Sequence, residues 1–290
     1  MGETAFDLDG GKNEKEREFH FTERDFNQIR DYVKAHTGIK LSDAKRNMVY
    51  SRLSRRLRQL HLTKFKDYLE LISDESGDEL GHFINAITTN LTAFFREIHH
   101  FDYLKQTIVP HLLTANQATR RIRIWSAGCS TGEEPYSIAI TLKEAMANVS
   151  GWDVKILATD LDTNVVAHAK RGVYSVERVE DLPESKVRKW FRKGRGDQSG
   201  SVKVSPELQE MITFKNLNLM GAWPMKGPFD VIFCRNVVIY FDKETQRRLF
   251  DRYADHLSPN GHVFLGHSES LFKVSTRFKL IGSTMYQRIS

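Results

Sequence analysis

Apolar residues change their spacing near Arg120. Before it they recur at helical intervals. Thr22-Glu23-Arg24-Asp25 supplies an N-cap ahead of Phe26, Ile29, Tyr32 and Val33, which follow at i, i+3, i+6 and i+7, and Gly38 stands as a C-cap. A second helix is expected from Ser42-Asp43 towards Leu60, with Met48, Leu53 and Leu57 on its apolar side and Lys45, Arg46, Arg52, Arg55, Arg56 and Arg58 crowding the rest. A third is expected over roughly Phe65 to Ile72, and a fourth from about Asp78 to Thr88. This half reads as a small helical bundle.

After Arg120 strands and helices alternate. Arg121 to Trp125 alternates and ends in Ser126-Ala-Gly-Cys-Ser-Thr-Gly132, followed by a helix from Pro135 to about Ala147. Val154 to Ala158 is the next strand, ending at Thr159-Asp160, with Asp162 to Lys170 helical. Phe229 to Cys234 and Gly261 to Leu265 are strands around a helix from Glu244 to Leu257. Such alternation predicts a parallel, doubly wound sheet. Phe278 to Ile289 reads as a terminal antiparallel hairpin around Gly282-Ser283. The stretch between Gly172 and Asn216 breaks the pattern. A helix over Pro183 to Arg192, the glycine loop Gly194-Arg-Gly-Asp-Gln-Ser-Gly200, and short strands at Ser201–Val204 and Met211–Lys215 predict a small β-rich insertion.

Composition narrows the class. The 290 residues are 40% hydrophobic, enough for a packed core. Apolar runs are too short for a membrane span, and the polar segment from Met1 to Arg17 reads as a frayed tail rather than a secretory signal. The two cysteines, Cys129 and Cys234, form no C-x-x-C pair and no zinc spacing, so buried thiols in a reducing, cytoplasmic compartment are expected and no metal is assigned. The net charge of +6 fits nucleic acid, an anionic membrane or an acidic protein, and does not choose among them.

Chemistry concentrates at the carboxyl ends of the expected strands. The loop Gly128-Cys-Ser-Thr-Gly132 departs from G-x-G-x-x-G, although its glycines would let a ligand approach the backbone. Glu133 and Glu134 open the following helix, with Thr131 and Glu134 spaced as a capping box. Two carboxylates there repel a pyrophosphate and favour a ligand with a cationic end. S-adenosylmethionine, with an ammonium, a sulfonium and no phosphate, has that character. Asp160 ends a strand where an acid can accept from both ribose hydroxyls, or cap a turn, with Asp162 as a rival cap. Arg235 and Asn236 follow another strand, and Tyr240 lies one helical turn beyond. Asn85 to Arg96, rich in Asn and Thr, reads from composition as a helix end and linker.

Several segments together resemble the CheR chemoreceptor methyltransferases: Lys45-Arg-Asn-Met-Val-Tyr-Ser-Arg-Leu53, Thr88-Thr-Asn-Leu-Thr-Ala-Phe-Phe-Arg-Glu97, Ser130-Thr-Gly-Glu-Glu-Pro-Tyr-Ser137 and Phe233-Cys-Arg-Asn-Val-Val-Ile-Tyr-Phe241. The likeness runs in one order from about Phe21 to the C-terminus. It implies an α/β, Rossmann-like class I S-adenosylmethionine methyltransferase domain with an inserted small antiparallel β-subdomain, preceded by an all-α domain. The implied division is a tail over 1–20, a helical domain over 21–88, a linker and connecting helix over 89–119, and a methyltransferase domain over 120–290 with its β-subdomain at about 173–216.

Carried over by motif, Asn90, Thr92 and Arg96 would line the cofactor pocket from the linker. Glu133 would face the methionine end, Asp160 the ribose, and Asn218 and Leu219 the adenine. Arg235 and Asn236 would complete the pocket, with Arg96 and Tyr240 nearest the transferred methyl group as catalytic residues. The implied activity is methyl transfer from S-adenosylmethionine to glutamate carboxylates of chemoreceptors, leaving S-adenosylhomocysteine. The implied partner is the receptors' cytoplasmic helical bundle, at membrane receptor arrays but without insertion into the membrane. Arg52, Arg55 and Arg56 share one helix face suited to an acidic coiled coil. Gly194-Arg195-Gly196 has the Gly-x-Gly form with which the family docks a receptor's C-terminal peptide. Two rivals stand beside this reading. A nucleic-acid methyltransferase fits the charge but lacks an Asn-Pro-Pro-Tyr-like loop and a stacking platform. A non-catalytic cofactor-sensing or scaffolding module is disfavoured by the intact Arg96, Glu133, Asp160 and Asn236.

Overall fold

The computed structural model describes residues 17–74 and 78–290, which fall into two compact units. Unit one comprises the chain up to Val33 together with Leu41–Ile87, and unit two comprises Lys34–Lys40 and Thr88–Ser290. Most of the expected N-terminal tail lies outside the described residues. Its last part departs from expectation: Phe19 is buried and Arg17 donates to Asn47 Oδ1 at 2.7 Å, so the aromatic ring anchors this stretch.

Unit one holds α1 (Glu23–Thr37), whose last turn passes to unit two, then α2 (Arg46–Gln59), α3 (Phe65–Ser73) and α4 (Glu79–Ile87). A reciprocal cap starts α1. Asp25 N donates to Thr22 Oγ1 at 3.1 Å while Thr22 N donates to Asp25 Oδ2 at 2.8 Å. Helical spacing gathers Phe26, Ile29, Val49, Leu53, Leu57, Phe65, Tyr68, Ile72 and Phe83 into a closed core. Beside it Arg56 grips Glu79 through Nε at 3.0 Å and through a second nitrogen, and Tyr68 donates to Glu79 Oε1 at 2.8 Å. Arg52 donates to the carbonyls of Ala86 and Ile87, at 3.3 and 3.1 Å, which close α4. Arg52 and Arg56 hold the bundle together, and Arg55 alone of the three is exposed.

Unit two begins with the linker, then α5 (His99–Tyr103), a π-helical segment (Leu104–Ile108) and α6 (Val109–Ala115). There follow β1 (Arg121–Ala127), α7 (Glu133–Ala145), β2 (Asp153–Asp160), α8 (Thr163–Arg171), β3 (Val173–Ser175), α9 (Glu184–Trp190), β4 (Phe191–Lys193), β5 (Ser201–Val204), α10 (Pro206–Gln209), β6 (Ile212–Asn216), β7 (Phe229–Cys234), α11 (Lys243–His256), β8 (Leu257–Leu265), β9 (Phe278–Gly282) and β10 (Met285–Arg288). The seven-stranded sheet has the order β6-β2-β1-β7-β8-β10-β9, parallel from β6 through β8, with the terminal hairpin antiparallel. Strand alternation sorts side chains between two cores. Ile122, Ile124, Val231, Phe233 and Phe264 pack on one face, and Trp125, Ile232, Cys234, Val263 and Leu265 on the other. This is the doubly wound class I methyltransferase architecture. The order reverses between β1 and β7, the position at which open sheets of this kind bind their ligands.

The inserted β-subdomain is a three-stranded antiparallel sheet, β3-β5-β4. It is smaller than the sequence implied. Ile212–Asn216 leaves it and pairs parallel with β2, because its apolar Ile212 and Phe214 pack with the central core. Both cysteines are buried and free. Among the described residues no helix is long and apolar enough to cross a membrane.

Candidate active site

The carboxyl ends of β1, β2, β6 and β7 share one edge of the parallel sheet. Their loops form the site within unit two. After β1 the chain turns through Gly128 at φ +100° and Ser130 at +48°, then enters α7 through Gly132 at +101°. The glycines serve packing here. A Cβ on Gly128 would sit 2.3 Å from Val237, and one on Gly132 would sit 2.8 Å from Ala169. The expected capping box is also corrected. Gly132 caps α7 without a side-chain bond, Thr131 Oγ1 donates to Glu133 Oε2 at 2.6 Å, and Glu134 accepts from Ser126 at 2.7 Å.

Four backbone donors of this loop are occupied. Gly128 N and Cys129 N donate to Thr159 O at 2.8 and 2.9 Å, Gly132 N to Cys129 O at 3.0 Å, and Ser130 N to Asp160 Oδ2 at 2.8 Å. A phosphate would find none of these N–H groups free, whereas the neighbouring carboxylates offer negative charge. Asp160 also accepts from Asp162 N at 3.0 Å. Burial raises its pKa, against the pull of these N–H donors. Asp162 is the helix cap, accepting from Asn164 N at 2.9 Å, and its other oxygen receives Thr88 Oγ1 at 2.8 Å and Asn90 Nδ2 at 2.7 Å. The linker is thus tied to the start of α8, and Ser130 Oγ donating to Asn90 O at 2.8 Å ties it to the β1 loop as well.

Glu133 is buried and pairs with Arg178, which also donates to Thr92 O at 2.9 Å. Arg235 is buried between Glu134 at 3.1 Å and Glu97 at 3.3 Å, and it donates to Arg96 O. Burial lifts Glu134, with Arg235 and Ser126 opposing. Burial would lift Glu97 too, but the hydrogen bond from His267 and the charge of Arg235 prevail and bring it down to about 2. Asn236 adopts φ +59° after β7, held by Glu269, which accepts from Asn236 N at 2.9 Å, Ile239 N at 3.1 Å and Gly266 N at 2.6 Å. A one-turn 3₁₀ helix, Val238–Tyr240, follows.

The residues named from sequence fall into groups. Ser130 joins Asn90 to Asp160, and Arg178 joins Thr92 to Glu133. Arg96 joins Arg235, with its own guanidinium donating to Leu91 O at 3.0 Å. Asn218 and Leu219 lie just past Leu217, whose N donates to Asp160 O at 2.9 Å. The Asn218 side chain is engaged by His36 O at 2.6 Å and Met220 N at 2.9 Å, so it faces protein rather than an open cavity. No hydrogen bond joins Tyr240 to the rest of the site, and its hydroxyl has no partner among the described residues. Asp162, named from sequence as a rival cap, is the cap of α8, whereas Arg178, Glu97 and Glu269 were missed in sequence. Of these three only Glu97, inside a matched motif, carried any signal. Glu97, His99 and His100 bring ligand atoms within 4.8 Å of one another, but Glu97 is already balanced by Arg235 and His267.

Comparison with known proteins follows the two units. Residues 24–88 match the all-alpha domain of CheR methyltransferases, and residues 90–287 match their SAM binding domain. The chain is 47% identical over 271 residues to chemotaxis protein methyltransferase 2 of Pseudomonas aeruginosa, covering 93% of this chain and 95% of that one. It is 45% identical over 267 residues to the chemotaxis protein methyltransferase of Escherichia coli, covering 90% and 89%. It is 42% identical over 252 residues to a probable chemotaxis protein methyltransferase of Rhizobium etli, covering 86% and 94%. With both domains matched in order and the sheet, insertion and helical unit in place, the chain belongs to the CheR methyltransferase family.

Proposed function

We propose that the loops over β1, β2, β6 and β7 hold S-adenosylmethionine for transfer of its methyl group to glutamate side chains of chemoreceptors, the reaction of this family. The observation that carries the site assignment is the β1 loop, with four of its N–H donors consumed internally and the carboxylate of Glu133 buried beside it. That donor set fits a ligand that is cationic at one end and free of phosphate. Glu133 would accept from the ammonium, and Asp160 from the ribose hydroxyls through the oxygen capacity left beside its two N–H bonds. Asn218 and Leu219 would border the adenine by backbone and aliphatic surface. Arg235 would act as a brace, since its guanidinium is occupied by Glu134, Glu97 and Arg96 O.

The bound sulfonium supplies an electrophilic methyl group. The attacking glutamate has an ordinary pKa of about 4.3, is an anion at neutral pH, and needs no general base. The chain's task is alignment and exclusion of water. Arg96, with a guanidinium fixed at one nitrogen by Leu91 O, would orient the incoming carboxylate, and the unpartnered Tyr240 hydroxyl would donate a second hydrogen bond to it.

The receptor contacts belong to the same proposal. Arg55, the exposed one of Arg52, Arg55 and Arg56, would meet an acidic helix. In the β-subdomain, β4 pairs among the described residues with β5 alone and leads into Gly194-Arg195-Gly196, where Gly196 sits at φ +57° with open space around it. A receptor's terminal peptide would add to that free edge and raise the local concentration of methylatable helices at cytoplasmic receptor arrays. Incubating the protein with labelled S-adenosylmethionine and receptor cytoplasmic fragments, with and without their terminal peptides, tests this. Base-labile label on the receptor is expected, increased by the peptide. Label on RNA, or none on any receptor, would contradict it.

A further inference from the structure

The methionine end of the cofactor bears an ammonium and a carboxylate on one carbon. Glu133 answers the first, and none of the residues placed so far answers the second. Arg178 stands beside Glu133, on a 3₁₀ turn (Val176–Val179) that follows β3. One guanidinium nitrogen pairs with Glu133 Oε1 and donates to Thr92 O at 2.9 Å. The two partners differ in freedom. The Glu133 side chain is 1% exposed and is pinned by Thr131 Oγ1 at 2.6 Å, whereas that of Arg178 is 40% exposed. The acid is the fixed member of the pair and the arginine the movable one.

We infer that Arg178 binds the α-carboxylate of the cofactor. This rests on the role proposed above for Glu133. On binding, the ammonium replaces the guanidinium at Glu133 Oε1, and the guanidinium turns to the adjacent carboxylate. Every charge has a partner before and after this exchange. With Glu133 alone, the ligand's carboxylate would enter the site uncompensated, at a large desolvation cost. The planar fork of arginine suits a carboxylate bidentately, and Thr92 O is placed to steady a remaining N–H. Without ligand, the same arginine neutralises a buried acid that would otherwise stand alone.

Calorimetric titration with S-adenosylhomocysteine and with 5′-methylthioadenosine, which lacks the amino-acid end, separates the alternatives. Arg178→Gln should weaken S-adenosylhomocysteine by roughly 10- to 100-fold, the range of a charge-assisted hydrogen bond, and leave 5′-methylthioadenosine within about twofold. Arg178→Lys should recover part of the loss. Unchanged or tighter binding of S-adenosylhomocysteine by Arg178→Gln would overturn the inference, since a guanidinium that only blocks Glu133 would behave that way. Equal loss of both ligands would overturn it too, by showing a structural role. Wild-type protein that binds neither ligand would instead overturn the cofactor site itself, and this inference with it.

Discussion

Arg56 in the helical unit and Arg178 in the catalytic unit each grip a glutamate, yet their surroundings differ. Arg56 is 19% and Glu79 10% exposed in their side chains, with Tyr68 donating to the same carboxylate. That pair closes a core, and its hydrogen bonds raise the Arg56 pKa, with Glu79 the main cause. Arg178 keeps much of its side chain in solvent while its acid is buried. A charge that is sealed at both ends contributes to folding. A charge sealed at one end can exchange its partner for a ligand. Sequence spacing does not separate the two cases, because both arginines lie in polar stretches without a distinguishing neighbour.

The sharpest way to break this comparison is Arg56→Ala. It leaves Glu79 partly buried without its cation and should lower stability by about 3 kcal/mol, read from chemical denaturation. Affinity for S-adenosylhomocysteine should be unchanged in the folded variant. Arg96→Ala should do the reverse. Turnover on a receptor fragment should fall about 100-fold, the scale of one lost positioning donor, with stability changed by less than about 1 kcal/mol. Wild-type turnover in that variant would remove Arg96 from the mechanism.

A third prediction uses pH. His100 is buried, its Nε2 lies 3.3 Å from Ser283 O, and its Nδ1 lies 3.6 Å from Glu97 Oε2. Burial first, then the charges of Arg235 and His99, lower its pKa from 6.5 to about 4. The unfolded chain therefore binds more protons than the native one in that interval. The stability tied to neutral His100 is present above pH 6.5 and is lost as pH falls through 4. Glu97, lowered to about 2, extends the loss below 4.5 in the same direction. Thermal midpoints measured between pH 7 and 4 should fall, and His100→Gln should flatten part of that fall. A slope identical to wild type would exclude His100 as its source. The smallest effect expected is that of Arg55→Glu. Receptor methylation should drop about two- to tenfold through a weakened rim charge, with cofactor affinity intact. Equal methylation would remove Arg55 from the receptor face.

Much of the fold was legible in sequence because both signals were strong. The i, i+3, i+7 spacing around Phe26, Ile29 and Val33 fixed a helix, and the alternation of Ile122 and Ile124 with Trp125 fixed a strand buried on both faces. The assignment of Met211–Lys215 to the insertion failed for a physical reason. A short apolar strand carries no record of which sheet it joins, and only pairing with β2 decides that. At the site, sequence located the loops but not what their side chains do. Asn90, Asn218 and Arg235 are engaged by Asp162, by His36 O and by Glu97 with Glu134, so a ligand meets backbone or the remaining oxygens there. Arg178 escaped notice because it lies 45 residues from Glu133, and only the fold of the β-subdomain brings the two together.

The measurement that bears most directly on the central claim is paired calorimetric titration of S-adenosylhomocysteine and ATP into wild-type protein and into Glu133→Gln. A pocket whose β1 loop engages four of its N–H groups internally and sets a buried acid at the start of α7 should bind S-adenosylhomocysteine, reject ATP, and lose roughly tenfold or more of its affinity when Glu133 becomes neutral. Binding of ATP in place of S-adenosylhomocysteine, or equal S-adenosylhomocysteine affinity with and without the Glu133 charge, would contradict it.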